Sequence, residues 1–233
     1  MKNVEVLKFV SPEALALAAA CAWLDELAVP ERKQLYSVAL SGGRITRAFL
    51  NNVVDQSLKR HASWEGVHFF WADERCVPPT DAESNFLLAN DLLFKPLGIP
   101  VGQIHRVPGE LPPDEGADFA SRELHKHVPD GKLNLAFLGV GEDGHVASLF
   151  PGACLPSHPP SFYPVIGPKP PPQRITLSYE MLFITEKVWV LASGAGKQLV
   201  VQASLNGNDA LPLGKVLKGR LHSKVFTDIT ITP

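Results

Sequence analysis

Leu133-Asn134-Leu135-Ala136-Phe137-Leu138-Gly139-Val140-Gly141-Glu142-Asp143-Gly144-His145-Val146-Ala147-Ser148-Leu149-Phe150-Pro151-Gly152 carries an apolar run into closely spaced glycines and then presents a carboxylate and an imidazole. A strand that ends this way supplies an active-site loop. Its first half fits the dinucleotide fingerprint G-x-G-x-x-G, which would set a pyrophosphate at a helix N-terminus. A nicotinamide cofactor would also need an acidic residue about 20 positions onward to hold the ribose. No Asp or Glu occurs between Asp143 and Glu180. Pro151 is expected to end the helix that follows after barely two turns. The glycines therefore serve another ligand, and neither a cofactor nor a metal is expected.

Outward from this stretch, short apolar runs alternate with helical patterns. Strands are expected at 4–10, 35–40, 67–71, 104–107, 133–138, 174–177 and 187–192, most of them rich in β-branched or aromatic residues. Helices are expected between them, at 45–58, 85–94, 116–128 and 197–205. Another runs from Pro12 to about Ala28 behind Ser11 as N-cap. The alternation predicts an α/β fold, a mostly parallel open sheet flanked by helices and Rossmann-like. One domain over residues 1–233 fits the length. Residues 151–172 hold nine prolines and Lys169 as their one charged side chain, so they read as an extended surface loop.

Composition narrows the partners. Lys and Arg number 22 against 24 Asp and Glu, so there is no basic excess to neutralise a nucleic-acid backbone. Apolar runs stop short of the roughly 18 residues a membrane span requires, and the start Met1-Lys2-Asn3-Val4-Glu5 has no signal-peptide pattern. A cytoplasmic protein, favoured as a monomer, is expected. Cys21, Cys76 and Cys154 form no C-x-x-C pair, which argues against a disulfide framework or a zinc site. No histidine flanks Cys76, so it reads as an inert thiol. His125 and His127 are two apart on a helix, face different ways and do not readily share a metal.

Four strands end in glycine-rich or charged turns: Ser41-Gly42-Gly43-Arg44, Ala72-Asp73-Glu74-Arg75, the 139–145 turn, and Ser193-Gly194-Ala195-Gly196-Lys197. Ligands of open parallel sheets bind outside the carboxyl ends of the strands, so these turns are expected to converge. Gly42 and Gly43 precede a helix, where bare backbone N–H groups and the dipole suit a phosphate. The dipole alone contributes about 0.3–1 kcal/mol, so cations are needed, and Arg44, Arg174 and Lys197 are the candidates. Walker-type spacing is absent, which favours the single phosphate of a small metabolite over a nucleotide. At the mouth of the sheet the imidazole of His145 suits proton abstraction from water. Asp143 either orients His145 or contacts the substrate. With no G-x-S-x-G elbow in the chain, direct attack by water is favoured over a covalent intermediate.

Residues 139–152 follow the pattern G-x-G-x-D-G-H-x-A-S-L-F-P-G, and Asp73-Glu74-Arg75-Cys76-Val77-Pro78 with Ser84-Asn85 follows D-E-R-x-V-P…S-N. In both, the chain resembles the 6-phosphogluconolactonases of the pentose phosphate pathway, relatives of the glucosamine-6-phosphate deaminases. Arg174-Ile175-Thr176-Leu177 and Gly194-Ala195-Gly196-Lys197 resemble two further blocks of that family. The first loop departs from it: where the family often reads S-G-G-S-T-P, Arg44-Ile45-Thr46 follow Ser41-Gly42-Gly43, which puts two hydroxyl contacts in doubt and makes the Arg44 guanidinium a candidate to replace them as phosphate donor. The resemblance implies a phosphosugar-lactone substrate, with His145 activating water and Arg75 stabilising the oxyanion. It also implies that Gly42, Gly43, Arg44, Arg174 and Lys197 hold the 6-phosphate. The deaminases tend to continue D-G-H with I-A-F-N-E-P. The sequence Ser148-Leu149-Phe150-Pro151 offers no such carboxylate. A non-catalytic sugar-phosphate sensor is disfavoured because no helix-turn-helix or basic arm accompanies the site.

Overall fold

The computed structural model describes residues 4–28 and 35–232; the first three residues of the leader reading above lie outside this range. Its elements are β1 (Val4–Lys8), α1 (Pro12–Leu27), β2 (Tyr36–Leu40), α2 (Arg44–Arg60), β3 (Val67–Trp71), β4 (Asp73–Arg75) and α3 (Asn85–Ala89). A π-turn at Asn90–Phe94 runs α3 into α4 (Lys95–Leu97). After α5 (Pro113–His127) come β5 (Leu135–Gly139), β6 (Phe162–Ile166), β7 (Gln173–Leu177), α6 (Tyr179–Ile184) and β8 (Lys187–Ala192). The described chain closes with α7 (Gln198–Leu205), α8 (Pro212–Lys218) and β9 (Ser223–Thr227).

Six strands pair in the order β1-β9-β8-β5-β2-β3, every pair parallel. Such a sheet is covered on both faces, and its strands are apolar throughout rather than alternating; all five residues of β2 are buried. The chain winds outward from β2 to β3, then crosses back to β5 and winds the other way through β8 to β9. The reversal lies between β2 and β5. These two pair at only two positions, Val38 with Leu135 and Ala39 with Ala136. Beyond them the strands part, and a crevice opens where their carboxyl ends diverge.

The core packs one face of this sheet against α1 and α2. In α1 the Ser11 hydroxyl accepts the Ala14 N–H at 3.2 Å, Pro12 opens the helix, and Leu15, Ala16, Ala19, Ala20, Trp23, Leu24 and Leu27 form its buried face. Trp23 sits edge-on to Phe137 at 5.0 Å, and Phe49 of α2 lies 4.6 Å from the same ring. Such aromatic pairs add about 0.5–1.5 kcal/mol beyond their burial, and Phe137 thereby anchors the strand that carries the 139–145 turn.

Three expectations need correction. Residues 104–107 make no strand; Ile104 alone bridges Phe69, and the chain then turns, the Val107 carbonyl accepting the Gly109 N–H at 3.0 Å. No helix follows His145: residues 146–149 form a tight turn closed by an antiparallel bridge between Val146 and Leu149, with Ala147 at φ 49°. The proline-rich stretch is not loop throughout, because β6 lies inside it with Phe162 and Tyr163 buried. Strand β6 joins β7 and β4 in a second, antiparallel sheet of order β4-β7-β6. The helix expected at 197–205 is α7, entered through a 3-10 turn at Ala195–Lys197.

Candidate functional site

Strands β8, β5, β2 and β3 are neighbours, so the four turns that leave their carboxyl ends stand side by side. The crevice they surround is lined by Gly42, Gly43, Arg44, Asp73, Arg75, Asn85, His145, Arg174 and Lys197, among others. Seven of the eight residues singled out from the sequence are in this lining. The eighth, Asp143, stands behind His145.

His145 Nδ1 lies 2.5 Å from Asp143 Oδ1, and the same oxygen accepts the His145 backbone N–H at 3.2 Å. The bond fixes the ring and leaves Nε2 for proton transfer. The carboxylate thereby contacts the imidazole through Oδ1, the geometry of the first of the two roles open for Asp143. Burial works to raise the Asp143 carboxyl, but the bond to His145 and the imidazole charge outweigh it, holding the group below its ordinary value. Gly141 makes the pair possible: a Cβ there would stand 2.0 Å from His145 Nδ1 and 2.5 Å from Asp143 Oδ1. The Phe150 ring, 4.9 Å from the imidazole, covers another side.

Strand β3 gives way to β4 through Ala72 alone, whose N–H bonds Leu40 and whose carbonyl accepts from Leu177. This pivot takes the chain from one sheet to the other and sets Arg75 directly opposite Arg174. Like charges facing across strands are destabilising, and here the Glu83 carboxylate at Arg75 offsets part of that repulsion. Arg75 Nη1 is held by the Glu83 carbonyl at 2.8 Å and carboxylate at 3.0 Å, while its buried Nε has no partner. Arg174 is turned toward the proline-rich segment, donating to the carbonyls of Pro171 and Lys169 above the Phe150 ring.

At the other end, α2 starts behind Gly43, at φ 111°, with no side-chain cap, so its first-turn amides are open to an anion. Gly42 has no room for a side chain, because a Cβ would meet Asn85 Oδ1 at 1.9 Å. Lys197 is half-buried, and burial followed by the nearby Arg44 charge lowers its pKa. Arg44 itself is exposed and reaches Glu142 only at 3.9 Å. The Thr46 hydroxyl bonds back to the Gly42 carbonyl at 2.9 Å.

Sequence reasoning missed the polar framework behind these groups. Buried Asp73 accepts the Ser148 hydroxyl at 2.6 Å, and Asn85 Nδ2 donates to the Asp73 carbonyl at 2.9 Å. Glu74 takes the backbone N–H groups of Arg75, Asn85 and Phe86; burial pushes its carboxyl up to about 7 despite those donors. Cys76 is held as an inert thiol, pushed up to about 11 by burial and by Glu74. A larger hollow of about 600 Å³ is lined by Val4, Lys187, His222 and Lys224 at the opposite end of the strands. Its lysines are already paired, Lys187 with Glu26 and Lys224 with Glu5. Chemistry rather than size therefore selects the crevice.

Residues 11–225 match the family described as glucosamine-6-phosphate isomerases/6-phosphogluconolactonase. A probable chloroplastic 6-phosphogluconolactonase 3 of Oryza sativa subsp. indica is 35% identical over 242 residues, covering 96% of this chain and 73% of that protein. A 6-phosphogluconolactonase of Treponema pallidum is 29% identical over 220 residues, covering 88% of this chain and 87% of its own. The crystal structure of 6-phosphogluconolactonase from Thermotoga maritima superposes with a TM-score of 0.80 at 27% identity, covering 97% of this chain and 98% of that one. No helix among the described residues is long and apolar enough to cross a membrane.

Proposed function

Because this chain belongs to the glucosamine-6-phosphate isomerase/6-phosphogluconolactonase family, we propose that its crevice hydrolyses 6-phospho-D-glucono-1,5-lactone to 6-phospho-D-gluconate, the second step of the oxidative pentose phosphate pathway. The observation that carries this reading is the His145–Asp143 pair at 2.5 Å on a crevice that also holds Arg75, Arg174, Lys197 and the open amides beyond Gly43.

The 6-phosphate sits between the start of α2 and the cations Arg44, Arg174 and Lys197. That places the lactone carbonyl against His145. Nε2 of His145 takes a proton from water as the water oxygen bonds to C1, and Asp143 steadies the imidazolium that forms. Negative charge gathers on the carbonyl oxygen, where Arg75 stabilises it. Collapse of the tetrahedral intermediate breaks the bond from C1 to the ring oxygen, which leaves with the proton returned by His145. Neither a covalent enzyme intermediate nor a cofactor takes part.

The deaminase chemistry of the same family is the weaker reading. Residues 144–151 carry no carboxylate, and Ser148 is turned inward to Asp73. A single domain, a monomeric state and a cytoplasmic location remain part of the proposal; rice relatives are named chloroplastic.

The test is hydrolysis of freshly generated 6-phosphogluconolactone above its spontaneous rate, by the protein and by a folded His145→Ala variant. Loss of a positioned base is expected to lower kcat by about 10²–10⁴ with phosphosugar binding retained. An unmutated protein that binds phosphosugar without accelerating hydrolysis would overturn the reading, and ammonia release from glucosamine 6-phosphate would then be measured.

A further inference from the structure

Three histidines far apart in sequence meet beside the outer edge of the parallel sheet. His68 is the second residue of the edge strand β3. His105 follows the single bridge at Ile104, its N–H bonded to the Phe69 carbonyl at 2.8 Å, and His127 is the last residue of α5. Their rings approach closely: His68 Nδ1 lies 2.7 Å from His105 Nε2, and the His105 and His127 ring centres are 4.0 Å apart. One ring nitrogen from each lies within 4.8 Å of the other two. We propose that His68, His105 and His127 form a binding site for a divalent transition metal of the zinc class, separate from the catalytic crevice.

Imidazole ligands suit zinc, nickel and copper rather than magnesium or calcium. With Zn–N bonds of about 2.0–2.1 Å, tetrahedral ligand nitrogens stand roughly 3.3 Å apart. His68 Nδ1 and His105 Nε2 stand closer than this, at 2.7 Å, and all three nitrogens fall within 4.8 Å of one another, so rotations of the rings around a central ion suffice to reach that spacing.

The surroundings resemble an outer shell. Glu123 Oε2 lies 3.7 Å from both His105 Nδ1 and His127 Nε2, positioned to take the proton of a ligating ring's other nitrogen and to offset the ion's charge. Phe70 packs against the His105 ring at 4.7 Å, and the His105 side chain is only 6% exposed. Lys126 touches the other Glu123 oxygen at 3.4 Å and points its charge at the carboxylate. The catalytic turns leave the carboxyl ends of the strands, whereas His68 lies five residues before Asp73, roughly 16 Å along an extended chain. A metal here would pin the end of α5 to the sheet edge and take no part in hydrolysis.

The experiment is equilibrium dialysis of metal-stripped protein against zinc chloride, with bound zinc quantified. His145→Ala serves as a control that removes the active-site imidazole. One equivalent is expected in both the unmutated protein and His145→Ala, with at least a tenfold weaker affinity in His127→Ala. The unmutated Tm is expected to rise by roughly 5–10 °C at a hundredfold excess over Kd. Zinc K-edge absorption of the loaded unmutated protein is expected to show three imidazole nitrogens, which keeps the test independent of how any variant folds. The proposal is overturned by no bound zinc, by zinc lost in His145→Ala and kept in His127→Ala, or by a spectrum with fewer than three imidazoles.

Discussion

The two ends of the crevice are built differently. Around His145 the polar groups are already committed: the imidazole to Asp143, Arg75 to Glu83, and Asp73 to Ser148. Around the start of α2 the groups are open: its amides lack a side-chain cap, Arg44 has only a 3.9 Å contact, and the half-buried Lys197 ammonium makes no hydrogen bond or ion pair among the described residues. A reacting centre gains from donors fixed before the reaction begins, whereas an anion site gains from charges that the ligand itself completes. The first end is therefore expected to govern kcat and the second KM.

After His145→Ala itself, Gly141→Ala should have the largest effect. Its new methyl would stand 2.0 Å from His145 Nδ1, so the ring must move by more than 1 Å, a displacement that costs about 10²-fold in rate. Steady-state kinetics should show the loss in kcat with phosphosugar affinity retained; an unchanged kcat would break the assignment of the rigid end.

Lys197→Ala comes next. A charge-assisted bond contributes about 1.5–3 kcal/mol, so KM should rise roughly 10- to 100-fold with kcat nearly unchanged. A fall in kcat at constant KM would show that the two ends are not separable.

The smallest effect concerns Asp143. Its folded pKa is depressed, so its contribution to stability is fully present above the unfolded carboxyl value of about 3.9 and disappears as pH falls through the lower folded value. The Tm difference between the unmutated protein and Asp143→Asn should be constant above about pH 5 and close in more acid solution. A difference that instead widened with acid would mean the carboxylate is not held by His145.

The sequence made one end more legible than the other, and legible for local reasons. Each catalytic turn directly follows an apolar strand, so the parallel sheet and the convergence of residues 41–44, 72–75, 139–145 and 193–197 can be read from chain order. The β4-β7-β6 sheet could not. β4 has three residues, and β6 contains Pro164 within a proline-rich run, so its pairing partner decides it rather than local propensity. The same holds for the need for glycine at 42 and 141, which comes from Asn85 and His145 approaching through space. The meeting of His68, His105 and His127 is likewise visible only once β3, α5 and the segment after Ile104 are packed.

Asp73 binds Ser148 through its carboxylate and Asn85 through its carbonyl, and Asn85 in turn fills the space above Gly42. Three turns from three different strands are thereby stitched at one residue. Under native conditions they should open as a single cooperative unit, with the amides of the three segments exchanging at a common rate instead of fraying one by one.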